Sequence, residues 1–562
     1  MLLVSLNFLY IAFTTYLVGF AISEISNKWL KYQVKHTISI LIAGLIGITV
    51  YVQIYSLFAG VSFYAHLPVL LCCCIIGIVL RKKIVCNLLK EIKCVKEHPI
   101  QCVVGILFVV LIVFGTSRGY FHWDTGLYHA QSIRWIEEYG VVEGLANLHS
   151  RFAYNSSAFA ASAFYSMGFL FGQPMHALAG FLVLISGRMV FRLTEIFIDK
   201  KIKVSHFMEI GILYYISFIY IDMISPASDF FVQLIILDTL LLWILLWEEE
   251  NECKVNKNTM GYALLAMSLC FMVTVKFSMF PFLLFSILPI ARFVKEKRYK
   301  LIMMFVCVGI LIVMPFLLRN IVISGWLLYP STLINIGEFD WKIPIEQVQF
   351  DSKEICAYAR GFESVEGYFE PMNKWIPGWF AQLKVIEKAF VLLNIFSIMG
   401  SLFVGIWLYI RKEIVENSMV LFMLFISVIG VGFWFATAPL VRYGYAYLII
   451  LPVIFWGYLY QITKEKIKWL SLLVCIGMMI CVIWCGRVIK SKVILLIDQP
   501  YYVKQQDYVD GDASITYNIG GTIIYVPDYF GQIGYNKFPS SPKIQEIEMR
   551  GENLESGFRY IN

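Results

Sequence analysis

The sequence predicts an all-α polytopic membrane protein, and three observations predict it. Hydrophobic residues make up 59% of the chain and the mean hydropathy is +0.72. Charged residues reach only 15%, where a soluble domain carries about 25%. About 14 stretches approach the roughly 20 apolar residues that cross a bilayer as a helix. They lie near 3–23, 36–58, 62–80, 100–118, 173–191, 205–222, 229–247, 259–275, 277–291, 300–318, 386–410, 418–436, 443–461 and 467–486. No stretch has the dyad alternation of a barrel strand, so helices must satisfy the backbone.

The first stretch, LLVSLNFLYIAFTTYLVGFAIS, has neither a basic leader nor a small-residue cleavage site and is expected to be retained as a span. Basic clusters then punctuate the ladder. They are Lys28/Lys31/Lys35, Arg81-Lys82-Lys83 with Lys90/Lys93/Lys96, Arg188/Arg192/Lys200/Lys201/Lys203, Arg292/Lys295/Lys297/Arg298/Lys300, Arg411/Lys412 and Lys464/Lys466/Lys468. Short loops rich in Lys and Arg stay cytoplasmic. The remaining polar segments, FHWDTGLYHAQSIRW, SPASD, TVKFS, the loop after Arg319, and APLVRYGY, then share the opposite side. This parity requires that 156–172, about sixteen mostly apolar residues, lie in the interface or re-enter rather than cross.

The resulting organisation has N-terminal transmembrane helices over 1–118 and an outer motif loop with interfacial helices over 119–172. Central transmembrane helices follow over 173–318, and an outer loop over 319–385. C-terminal transmembrane helices occupy 386–487, and a small polar tail 488–562. In the tail, ASITYN and TIIYVP flank Gly520-Gly521 as a hairpin. Arg487, Lys490 and Lys492, just after the last span, argue against an outer position for it.

The net charge of +7 sits in the cytoplasmic loops, where topology and anionic membrane lipid account for it. No basic stripe interleaved with aromatics marks a nucleic-acid partner. Of the 13 cysteines, only Cys356 falls in a large outer region, so no disulfide framework is expected there. No CxxC or HExxH run suggests zinc, and the spacing of His122, His129 and His149 matches no ligand pattern.

The motif loop carries the most specific signal. A helix over 124–139 places Asp124, Tyr128, Gln131, Trp135 and Glu138 on one face, with Ala130, Ile133 and Ile136 opposite, against the membrane. Asp124 is then either a helix cap or a carboxylate whose surroundings tune it as a general base. Arg134 and Glu138 form an i,i+4 brace. Asn155-Ser156-Ser157 reads as a cap or a glycosylation sequon.

Asp229 follows the Pro-broken SPASD turn, with Asp222 just before it, where an acid is an interfacial anchor or has a partner. Lys276 stands within an apolar stretch and either snorkels or meets an anion. Arg319 and Arg442 close and open spans on the same side. A guanidinium fork suits phosphate, and the neighbouring aromatics equally suit an interfacial belt. Trp341, Trp375 and Trp379 are sugar-stacking or anchoring residues.

The block FHWDTGLYHAQSIRWIEEYGVVEGLANLHSRFAYNSS, with SPASD, TVKFS, RNIVISG and APLVRYGY, resembles a family of bacterial multi-span membrane proteins associated with surface polysaccharides. In layout the chain also resembles the GT-C superfamily of integral membrane glycosyltransferases. That resemblance implies a GT-C-like bundle in the bacterial plasma membrane. It implies a polyprenyl-phosphate-linked sugar donor, a cell-surface glycan acceptor, and a divalent metal in some members. It places Asp124 and Asp229 as catalytic acids. Lys276, Arg319 and Arg442 would hold the donor phosphate, while His122, Tyr128, His129 and Arg134 would position substrate. The chain departs from the superfamily pattern in three respects. Its motif loop follows the fourth span rather than the first, it lacks a DxD pair, and its soluble C-terminal part is small. Two other readings stand beside this one: a polymerase or ligase of lipid-linked oligosaccharides, and a polysaccharide transporter or flippase.

Overall fold

The computed structural model describes residues 1–97, 99–196, 201–253, 258–465, 467, 469–508, 513–528 and 531–561. Lys200, Lys466 and Lys468 of the basic clusters lie outside the described residues. The fold is that of a multi-pass, all-α membrane protein. Nine described helices are long and apolar enough to cross a membrane. They are Leu2–Leu30, Thr37–Tyr55, Ser228–Glu252, Phe277–Lys295, Tyr299–Ser324, Val385–Arg411, Ser418–Thr437, Val441–Thr463 and Leu470–Leu496. Phe63–Val79 and Arg81–Lys93 together pass the same test across an 84° bend. Gln101–Ser117, Val204–Ile219 and Thr259–Val275 are apolar but shorter, and Leu178–Val190 has only 13 residues. Of the 14 expected segments, nine therefore meet the length and hydropathy of a span unaided.

Close packing starts at the first two helices. A Cβ on Gly19 or Gly44 would lie 1.8 Å from a carbonyl oxygen of the facing helix, so bare glycine permits the crossing. Ser228–Glu252 is the central helix, buried throughout its apolar window.

Ion pairs gather the basic clusters at one end of the bundle. Arg188 meets Glu91 at 2.5 Å, Arg192 meets Glu209 at 3.0 Å, Lys203 meets Glu252 at 2.9 Å and Arg292 meets Glu250 at 3.0 Å. Lys35 pairs with Glu249 and Lys83 with Glu24. The polar motifs occupy the other end.

The stretch 156–172, expected to lie in the interface or to re-enter, does not form a surface helix. Ser157–Ser166 is helical, Met167 breaks it with φ 48°, and Gly168–Phe171 adds one turn. Every residue of Ser157–Ser166 is buried, because the segment is wedged among neighbouring helices instead of lying on lipid. Both of its ends stay at the motif end. At its start, the Ser156 hydroxyl donates to the Val275 carbonyl at 2.8 Å and caps Ala158 N at 3.2 Å. The cap reading of Asn155-Ser156-Ser157 accounts for this helix start. After its end, His176 bonds the carbonyls of Ile224 and Gln506, each at 2.8 Å.

The tail also lies at the motif end, despite its basic neighbours. Lys492 donates to the Ser217 carbonyl at 3.0 Å, capping the C-terminal end of Val204–Ile219. Ala513–Ile519 pairs antiparallel with Thr522–Pro527 around Gly520 and Gly521. Their φ values of 57° and 90° supply the two left-handed positions a type I′ turn demands. Ile547–Met549 pairs with Phe558–Tyr560.

Candidate functional site

The motif loop opens with a π turn, Thr125–His129, that runs into the helix Ala130–Glu138. Such turns are rare and concentrate at functional sites. The helix does not lie on the membrane with Ile133 and Ile136 against lipid. Ile133 is fully buried and Ile136 is 5% exposed. The helix sits between Ser157–Ser166 and the C-terminal tail, and Trp135 packs on Phe538 and Phe558. Gln131 donates to the Lys537 carbonyl at 2.7 Å, and Gly534 N donates to the Gly126 carbonyl at 2.9 Å. A Cβ on Gly126 would lie 2.2 Å from the end of the Gln532 side chain, so a larger residue here would displace that side chain.

Asp124, at the head of the π turn, is ion-paired rather than capping: its side chain caps no backbone N–H of that turn. Arg442 Nη2 donates to Asp124 Oδ2 at 3.2 Å, and Arg442 Nε lies 3.5 Å from Asp229 Oδ2. Lys276 donates to Asp229, and Arg442 donates to His122 Nε2. Lys276 Nζ stands 3.8 Å above the Tyr443 ring centroid, a cation–π contact. The Tyr443 hydroxyl accepts from Arg442 at 3.3 Å. Two carboxylates and two cations from four separate segments thus form one electroneutral quartet.

Local structure explains each placement. His122 N donates to Ser225 Oγ at 2.7 Å, so the SPASD turn fixes the loop entrance. Asp229 occupies the first turn of Ser228–Cys253, where the helix dipole favours an anion. Lys276 sits just past the end of Thr259–Val275. Arg442 is the second residue of Val441–Thr463. The turn before it is pinned by two indoles: Trp379 Nε1 donates to Pro439 O at 2.8 Å and Trp434 Nε1 to Leu440 O at 2.9 Å. Trp375 and Trp379 are buried among Phe435 and Trp434 and act in packing. Trp341 stacks on Phe339, and the Arg550 guanidinium lies over its ring, 4.7 Å from the centroid.

The quartet is recessed but reachable. Side-chain exposure is 21% for Asp124, 11% for Asp229, 21% for Lys276 and 23% for Arg442. Burial alone would push the Asp124 carboxyl up. The Arg442 guanidinium, together with His129 and His122 beside it, outweighs burial and holds it below the usual carboxylate range. Burial, and then Arg442, lower the His122 imidazole. His129 is 3% exposed. Burial drops it to about 3, so it is neutral beside the quartet. Its ring lies 6.4 Å from that of His122 and 4.4 Å from that of Tyr128.

The structure thus brings together Asp124, Asp229, His122, Lys276 and Arg442, with Tyr128 and His129 adjoining them. It does not bring Arg319 or Arg134 there. Arg319 is 1% exposed and donates to Asn155 Oδ1 at 3.0 Å and to Ser56 Oγ. It therefore ties the bundle to the base of the buried short helix. Arg134 donates to the carbonyls of Tyr535 and Asn536, each at 2.8 Å, and lies 3.7 Å from Glu138. It holds the tail.

Sequence reasoning missed Tyr443 as part of the quartet, and it missed Gln233. Gln233 Oε1 accepts from Ala446 N at 2.6 Å and its Nε2 donates to Tyr443 O at 3.2 Å, fixing the helix start that carries Arg442. Its signal was its spacing, one turn beyond Asp229 on the same helix face. Among the described residues, no group of three or more His, Cys, Asp or Glu side chains is arranged to hold a metal ion.

No curated protein and no solved structure matches the chain. A family model does match, over residues 1–449, a range that includes all four members of the quartet. The chain belongs to the family described as a domain of unknown function, DUF8201.

Proposed function

We propose that the protein is an integral membrane glycosyltransferase of GT-C-like architecture, with about 14 spans, in a bacterial plasma membrane. Its donor is a polyprenyl-phosphate-linked sugar and its acceptor a cell-surface glycan. The observation that carries this reading is the quartet itself. Two recessed carboxylates share two cations at the end of the bundle where the motif segments converge. Isolated charges so placed are costly, and intramembrane or interfacial charge clusters mark substrate sites.

In this mechanism the acceptor hydroxyl attacks the anomeric carbon. The new C–O bond forms as the bond to the lipid phosphate breaks, and the phosphate departs with that electron pair. Lys276 and Arg442 stabilise the charge it acquires. Asp124 takes the acceptor proton. A carboxylate paired to Arg442 is a weak base. When the donor phosphate draws the guanidinium towards itself, the carboxylate loses its partner and its proton affinity rises. The base is thereby strengthened only when donor is present. Asp229 keeps Lys276 oriented, and neutral His129 with Tyr128 borders the acceptor.

The test is mass spectrometry of the surface glycan from cells carrying Asp124→Asn, beside a deletion strain. The expected result is the same missing sugar in both, with the variant correctly inserted. Full glycan in the Asp124→Asn strain overturns the base assignment. If Arg442→Gln still halts chain growth in that case, the polymerase or ligase reading takes its place.

A further inference from the structure

We propose that Arg81–Glu97, at the basic end and remote from the quartet, is a binding surface for anionic phospholipid headgroups. The helix turns 84° away from Phe63–Val79, so it runs along the end of the bundle, across the axis of the preceding span. One face is fixed to the body. Glu91 accepts from Thr37 Oγ1 at 2.6 Å and from Arg188 at 2.5 Å, Asn87 donates to the Tyr16 hydroxyl at 2.9 Å, and Ile84 is buried.

The other faces are open and divided in chemistry. Val85, Leu88, Leu89 and Ile92 are 44–59% exposed and recur at the spacing of one helical stripe. This stripe continues the exposed apolar surfaces of the flanking helices, which include Ile75, Ile78, Val103 and Leu107. Beside it run Lys82, Lys90 and Lys93, which line a shallow groove with Val85, Cys86 and Leu89.

Charge decides the occupant. The sequence 81–97 carries six basic residues against two acidic ones, and Glu91 is already taken inward by Arg188. Among the described residues, Arg81, Lys82 and Lys90 have no carboxylate within ion-pairing distance, and Lys93 has only Glu97, at 3.9 Å. An exposed apolar stripe flanked by uncompensated cations lies in the headgroup region, with acyl chains on one side and phosphates on the other. Each such cation near an anionic leaflet adds to the attraction.

The experiment is native mass spectrometry of the full-length protein extracted from vesicles of equal phosphatidylglycerol and phosphatidylcholine. The expected result is preferential retention of phosphatidylglycerol by the wild type, falling as salt rises from 50 to 500 mM. The triple variant Lys82→Gln, Lys90→Gln, Lys93→Gln should lower that preference on the order of 100-fold, with unchanged melting temperature. Equal retention of both lipids by the wild type overturns the proposal without recourse to any variant. So does a triple variant that folds and keeps the preference.

Discussion

The exposed ion pairs of the basic end and the quartet of the motif end hold their charges in opposite ways. At the basic end, pairs such as Lys35–Glu249 and Arg188–Glu91 have side chains 37–55% exposed. Water screens them, and each contributes about 0–1 kcal/mol. At the motif end, the quartet is recessed to 11–23% exposure, and each charge depends on its neighbours because solvent does little for it. These exposed pairs tolerate loss of a partner, whereas the quartet does not, and neither do the buried basic-end pairs Arg192–Glu209 and Arg292–Glu250. Charges that serve topology can stay wet. Charges that are to meet a substrate must be partly dry, so that exchange of one partner for another changes their chemistry.

The largest effect that would sharpen this contrast is Arg442→Gln. It leaves Asp124 without its guanidinium partner and Asp229 with Lys276 alone. Thermal melts in detergent should show a loss of about 3–5 kcal/mol, the cost of breaking a buried pair. A change under 1 kcal/mol would mean that the quartet is effectively solvated. Next comes Asp124→Asn, which leaves Arg442 paired with Asp229 and so should cost less in the melt than Arg442→Gln, while lowering transferase rate by about 10²–10⁴-fold, as for loss of a general base. An equal drop in stability and rate would make Asp124 a structural residue only.

A third effect concerns pH and runs in two directions. Burial lowers His129 and His149 to about 3. These groups bind more protons unfolded than folded between roughly pH 4 and 6.5, so stability at the motif end falls as the medium is acidified through 6.5. Glu137, beside the Tyr535 hydroxyl, is pushed by burial up to about 7. Its contribution is present in full below about 4.5 and is lost as pH rises through 7. Glu137→Gln should therefore flatten the alkaline limb of a melting-temperature profile and leave the acid limb intact. The smallest effect should come from Lys35→Ala at the basic end, within about 1 kcal/mol.

Much of this architecture was legible in the sequence, because hydropathy and basic loops are local signals that report directly on membrane position. Asp124, Asp229, Lys276 and Arg442 could be assigned to one end by counting crossings, which their convergence requires but which does not by itself bring them together. What could not be read was who touches whom laterally. Arg319 obeys the same parity as Arg442, yet Asn155 and Ser56 claim it, because helix neighbours are set by packing and not by side. The buried short helix misled for a related reason. Its mostly apolar residues suit lipid and protein interior equally, and only its neighbours decide. The tail's hold on Gln131 and Arg134 spans some 400 positions and leaves no periodic trace.

That hold sets a timetable for the nascent chain. The loop bearing Asp124 leaves the ribosome roughly 400 residues before Gly534, Tyr535 and Lys537, which supply partners for Gly126, Arg134 and Gln131. Until the final segment is translated, the loop waits with those polar groups unanswered. A premature stop after Leu496 would thus yield a protein that inserts every helix yet leaves the quartet's loop unroofed, a defect visible to an added protease as rapid cutting near Gly126.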